Sequence, residues 1–195
     1  MMRLSLPFAI AVTVAALAGC ASPKATFYTL SSQPPAQSTA PAMPVTVLIG
    51  SVTVPDLVDR PQIVVRTSAN QVTIDEFARW ADSLKSQIPR VIAADLAQEL
   101  NSPRVSAYPM AGDPAALYRV QIDVQRFDAT LGDAVTVDVL WSVSPPGKRA
   151  PLHGRSTVRE PCGDAGLEAM VAAYSRAFAT VSGDISASIR AAASS

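Results

Sequence analysis

The chain is expected to fold as an α+β domain, with a largely antiparallel sheet covered by two main helices near residues 86–101 and 164–190. Three patterns lead there. Tyr118, Val120, Ile122 and Val124 alternate with Arg119, Gln121, Asp123 and Gln125, and Val135, Val137, Val139, Trp141 and Val143 repeat the alternation. That period of two belongs to antiparallel strands with one buried face. Leu84, Ile88, Val91, Ile92, Leu96 and Leu100 recur at spacings of three and four, as an amphipathic helix requires. Leu167, Met170, Val171, Tyr174, Phe178, Val181, Ile185 and Ile189 do the same over a longer span, enough at about 1.5 Å per residue to cross a small domain.

From the N-terminus, Arg3 precedes the apolar run Leu4–Ala16, which has the length of a signal-peptide core and is too short to span a bilayer. Leu17-Ala18-Gly19-Cys20 closes it with small residues and a thiol, the one nucleophile there able to carry a thioether-linked diacylglycerol. The pattern resembles the lipobox of bacterial lipoproteins. Residues 1–19 are therefore expected to be a signal peptide, with Cys20 the lipidated, palmitate-bearing N-terminus. Ala21 stands where many Gram-negative lipoproteins kept at the inner membrane carry Asp, which by analogy places the anchor in the outer membrane, facing the periplasm. Residues 20–44 are read as a tether containing one short docking strand, Phe27–Leu30, and a Pro- and Ser-rich connector, Ser31–Pro44. Residues 45–195 form a single periplasmic domain.

Within that domain Val45, Val47 and Ile49 open a β-rich run that ends at Val54-Pro55, because proline cannot donate to a ladder. Gln62–Arg66 and Gln71–Asp75 flank the turn-rich Thr67-Ser68-Ala69-Asn70 and suggest a hairpin. Phe77 and Trp80 continue the helical spacing upstream of Leu84, but Pro89 is tolerated only near a helix start. The regular helix is thus expected from about Ser86, with Phe77–Lys85 a separate turn or kinked segment, and Asn101-Ser102-Pro103 ends it. Asp128–Asp133 should link the two alternating strands, and Leu152–Val158 reads as the next one. Val120, Ile122, Val137 and Val139 are expected to face the core, with Gln121, Asp123, Thr136 and Asp138 facing out.

Charge is balanced, 16 Lys+Arg against 16 Asp+Glu, so no polycation is present to bind nucleic acid, and attachment to a membrane falls to lipid rather than basic residues. With Cys20 acylated, Cys162 has no thiol to pair with and is read as a partly buried bystander. His153 is the only histidine, which removes multi-His metal sites and leaves a surface or structural role for it. Asp56 and Asp59 sit in an apolar, proline-bounded segment beside Arg60 and read as turn or contact residues rather than an acid–base pair. No nucleophile elbow, phosphate loop, dinucleotide fingerprint, HExxH or CxxC occurs, so no cofactor, metal or catalytic residue is assigned and an enzyme is not expected.

The runs Val54-Pro55-Asp56-Leu57-Val58-Asp59-Arg60-Pro61-Gln62-Ile63-Val64-Val65-Arg66 and Phe77-Ala78-Arg79-Trp80-Ala81-Asp82-Ser83-Leu84 resemble the PqiC/YmbA-type family of ABC-type transport auxiliary lipoproteins. The opening aromatic segment Phe27–Leu30 and the order of helix, paired strands and long terminal helix fit the same family. That resemblance implies an outer-membrane lipoprotein working with an MCE-domain protein and its inner-membrane partners, acting as a non-enzymatic docking component in lipid transport between membranes. It also allows a homo-oligomer matched to a ring-shaped partner. Asp59, Arg60 and Trp80 are the candidates for shaping the motif region or contacting that partner. The rival readings are a small-ligand or lipid-binding lipoprotein, which needs an apolar cavity, and a purely structural envelope lipoprotein.

Overall fold

A computed structural model describes residues 24–33, 42–109 and 116–194. Cys20, the expected signal peptide over 1–19 and part of the 31–44 connector lie outside the described residues. Ten elements follow in order: β1 (Thr26–Tyr28), β2 (Val47–Thr53), β3 (Gln62–Ser68), β4 (Gln71–Trp80), α1 (Leu84–Glu99), β5 (Val105–Ser106), β6 (Tyr118–Ala129), β7 (Ala134–Ser144), β8 (Leu152–Pro161) and α2 (Leu167–Ala193). The expected α+β class is observed. The strands form two sheets, a three-stranded one in the order β1-β4-β3 and a five-stranded one in the order β5-β2-β6-β7-β8.

β6 and β7 pair antiparallel, as do β7 and β8 and the β3–β4 hairpin. The sheets are nevertheless mixed. β2 runs parallel to both β5 and β6, and β1 runs parallel to β4. Alternation in β6 and β7 reports which face is buried and says nothing of the direction of a third strand alongside, so the parallel pairs were not readable from it.

Val120, Val137 and Val139 are 0 % exposed and Ile122 is 3 %, so the inward set is placed as expected. Asp138 also points away from these valines, yet it is buried because Arg155 and Thr157 on β8 close over its carboxylate. β6 carries a bulge after Val124 that leaves both Gln125 and Arg126 exposed and returns Phe127 and Ala129 to the core. One extra residue in a strand shifts the parity of everything after it. The strand thereby runs on to Ala129, and the turn to β7 narrows to 130–133, where Gly132 takes φ +72°.

Phe77–Trp80 is a correction to the sequence reading, since these residues end β4 rather than forming a turn or kinked helical segment. Their backbone finds ladder partners: Thr26 pairs with Ala78 and Tyr28 with Trp80, and the Trp80 amide donates to the Pro61 carbonyl at 2.7 Å. Ala78 and Trp80 then alternate inward, and the three- and four-residue spacing from Phe77 onward is coincidental there. α1 begins at Leu84, two residues before the expected start, because the Ser86 and Gln87 amides both bond the Ser83 carbonyl. Pro89 lies inside the second turn, where it lacks the donor for the Lys85 carbonyl. After Glu99 the chain exits through Leu100 and Asn101, the latter at φ +46°, a left-handed residue suited to ending a helix.

Both helices pack on the inner side of the larger sheet and against each other. α2 buries Met170, Val171, Tyr174, Phe178, Val181, Ile185 and Ile189, the stripe read from the sequence. It starts at Leu167, since Gly163 at φ +82° and the Asp164 carboxylate on the Gly166 amide shape a turn before it. The small sheet joins the same core through Trp80, whose ring meets Phe127 and Tyr174 edge-on at 6.1 and 6.4 Å, while Phe127 stacks on Tyr174 at 3.9 Å.

Candidate functional site

The motif region forms a junction between the small sheet and the start of α1. After β2, the Val58 and Asp59 amides both bond the Pro55 carbonyl and the Arg60 amide bonds Val58, which curls 54–61 into a tight turn. Asp59 is exposed and accepts a hydrogen bond from Lys85 Nζ at 2.5 Å, tying that turn to the first turn of α1. Exposed ion pairs of this kind contribute roughly 0–1 kcal/mol. Arg60 is half-buried, and its Nε has no hydrogen-bond partner among the described residues. Trp80 is 4 % exposed at the centre of the aromatic cluster. The structure thus brings the three candidates to one junction and separates their settings: Asp59 lies on the surface and Trp80 in the core.

A second arrangement escaped the sequence reading. The segment that follows β1 runs along the seam between α1 and α2, and side chains from both helices bind its backbone. The Leu30 amide donates to Gln87 Oε1 at 2.8 Å, the Ser31 amide to Ser175 Oγ at 3.1 Å, and the Gln33 amide to Asp95 Oδ1 at 3.1 Å. Gln87 is itself oriented by donating to the Asp82 carbonyl at 2.7 Å, and the Leu30 side chain is 5 % exposed. Gln87, Asp95, Ser175 and Ser182 are polar residues set among the buried positions of the helices. Nothing in their spacing says that a distant strand end supplies the amides that Gln87, Ser175 and Asp95 satisfy. Asp95 has no cation in contact among the described residues, and burial pushes its carboxyl up to about 6 against the opposing pull of the Gln33 and Ser182 hydrogen bonds.

Among the described residues the outer face of the larger sheet is open. A groove of about 470 Å³ crosses it, lined by Thr53, Gln121, Asp123, Leu140 and His153 among others. His153 is exposed on β8, next to Ser142 in the ladder. Further along this face Arg155 holds the Asp138 carboxyl below its usual range, and burial of Asp128 is outweighed by Arg66 and Arg126, bonded at 2.9 and 2.7 Å, which hold it low as well. A second groove, of about 370 Å³, lies beside β2 between Pro89 and Tyr108, where β5 pairs with Val47 and Leu48 only. Cys162 is buried, with burial raising its thiol, and its Sγ lies 3.9 Å from the Thr130 carbonyl. Asp56 is exposed in the 54–61 turn. Among the described residues no three His, Cys, Asp or Glu side chains gather as a metal site, and no helix is long and apolar enough to cross a membrane.

A family model described as an ABC-type transport auxiliary lipoprotein component matches residues 28–186. The comparison with curated proteins returned no significant match. Among solved structures, one described as an uncharacterized protein superposes with a TM-score of 0.71 at 21% identity, covering 86% of this chain and 99% of that one. A Xanthomonas campestris protein of the DUF330 family superposes with a TM-score of 0.67 at 20% identity, covering 83% of this chain and 93% of its own. Both likenesses concern the fold.

Proposed function

Because the chain belongs to the ABC-type transport auxiliary lipoprotein family, we propose that it is an outer-membrane-anchored periplasmic docking component of an MCE-type intermembrane lipid transport system, without catalytic activity of its own. The family match over residues 28–186 carries the reading. Its support from the chain is threefold. The lipobox-like run ends at Cys20, the first strand pairs only six residues later at Thr26, and the described side chains are spent on packing and on holding the N-terminal segment rather than on a reactive cluster.

In this reading Cys20 carries the acyl chains, and two or more chains on one residue add about 0.8 kcal/mol per buried CH₂, which makes release negligible. The domain offers surface to an MCE-domain protein and its inner-membrane transporter partners. A homo-oligomer would repeat that surface around a ring, and closed symmetry multiplies a weak contact into a firm one. Asp59, with Lys85 beside it, is an accessible contact candidate, whereas Trp80 serves the shape of the junction. Copurification from membranes under mild detergent tests the proposal. An MCE-domain protein recovered with the intact chain supports it. Phospholipid recovered with the chain alone, and no MCE-domain partner, would favour a lipid carrier instead.

A further inference from the structure

β1 and the end of β4 leave two aromatic rings in water. Phe27 is 63 % exposed and Phe77 is 49 % exposed, the two largest exposures among the described phenylalanines. Phe27 stands opposite Arg79 in the parallel ladder, and Phe77 is two residues before Arg79, so both rings share the face opposite to Ala78 and Trp80. Phe77 is held there by construction. The Asp75 carboxylate accepts both the Phe77 and Ala78 amides, at 2.8 and 2.9 Å, and the register against β3 slips from Asp75 at Ile63 to Arg79 at Gln62. Such bulges re-aim a side chain. Two exposed rings on one face of a small sheet mark a contact surface rather than a core position.

The chain outside the described residues says what covers it. Phe27 is seven residues from Cys20, a distance of at most roughly 25 Å when fully extended. An acyl group on Cys20 therefore keeps this face within one short tether of the bilayer. Among the charged residues within three positions of the two rings, Lys24 and Arg79 are matched by Asp75 and Glu76, so attraction between charges adds little and the contact is apolar. Resting on the anchor reading above, we propose that the Phe27–Phe77 face of the small sheet lies against the phospholipid surface that holds Cys20, with both rings at the boundary between headgroups and acyl chains.

The test uses the full acylated chain, purified from membranes and placed in vesicles of phosphatidylethanolamine and phosphatidylglycerol doped with acyl-brominated phosphatidylcholine. Phe27→Trp, Phe77→Trp and, on the other sheet, Leu140→Trp are compared with the parent, whose Trp80 and Trp141 are buried. Melting curves confirm that each variant folds. The added emission at positions 27 and 77 should shift to the blue and be lost to brominated lipid, while that at 140 stays solvent-like. Solvent-like emission at 27 and 77 in chains that float with the vesicles overturns the contact and leaves the anchor standing. Equal quenching at 140 overturns it too. A blue shift in detergent that grows with protein concentration, without quenching by lipid, would assign the face to a second copy. A chain that neither floats nor carries acyl groups on Cys20 overturns the anchor and this contact together.

Discussion

Asp95 shows how one buried carboxylate ties folding to pH. Its carboxyl is pushed up to about 6 from 3.8, so the folded state binds a proton between those values that the unfolded state has lost. By linkage, its contribution is fully present below the unfolded value of 3.8 and is lost as pH rises through about 6. Asp128 and Asp138 act with the opposite sign, since their lowered values give stability that is lost as acid protonates them. The difference between parent and Asp95→Asn isolates the first effect: the variant should gain on the parent in melting temperature from pH 4 to pH 7. A constant difference would show that Asp95 titrates normally. Tyr174 offers a second test, because its hydroxyl is buried with no hydrogen-bond partner among the described residues while its ring is stacked on Phe127. Burying an unpaired hydroxyl costs about 1–3 kcal/mol. Tyr174→Phe should therefore melt at the parent's temperature or above, and a drop would reveal a partner for the oxygen.

At the scale of elements, β6 and β7 carry the sheet, and their inward valines fix its register. Val120→Ala and Val137→Ala, both at fully buried positions, should each cost on the order of 1–3 kcal/mol in denaturant unfolding. Asp123→Ala, on the outer face, should cost far less, and an equal loss there would mean that the outer face is covered. These strands were legible because period-two alternation survives any tertiary context that buries one face, as the stripe of α2 survives for the same reason. Less of β4 and α1 was legible. Phe77 and Trp80 keep helical spacing with Leu84 and Ile88, and only the ladder supplied by β1 decides that they are extended. The β6 bulge was hidden likewise, because Gln125 and Arg126 both read as polar and either suits an outward position. At the candidate site, Asp59 and Arg60 were found through resemblance rather than chemistry, and the amide-binding row of Gln87, Ser175 and Asp95 left no pattern in the chain. Its partners are backbone groups from a segment 57–144 residues away in sequence, on which side-chain periodicity is silent.

For the whole molecule the arrangement separates anchoring from folding. In the proposed reading membrane attachment depends on Cys20, whereas the N-terminal contacts that stabilise the domain begin at Thr26, with β1 on β4 and then Leu30–Gln33 across both helices. A pull on the anchor is delivered to a parallel ladder and a run of amide hydrogen bonds that are buried or partly buried, not to a free arm. The two functions should therefore come apart under mutation. Cys20→Ser should release the chain from membranes in fractionation and leave the melting temperature of the domain unchanged. Gln87→Ala removes the acceptor of the Leu30 amide and the donor to Asp82, and an unpaired buried group costs about 1–3 kcal/mol, so it should lower the melting temperature while the chain still fractionates with membranes. If Cys20→Ser stayed membrane-bound, attachment would rest on another part of the surface. If Gln87→Ala melted like the parent, the Leu30 bond would add nothing to stability, and the segment after β1 would be held by Ser175, Asp95 and the β1–β4 ladder.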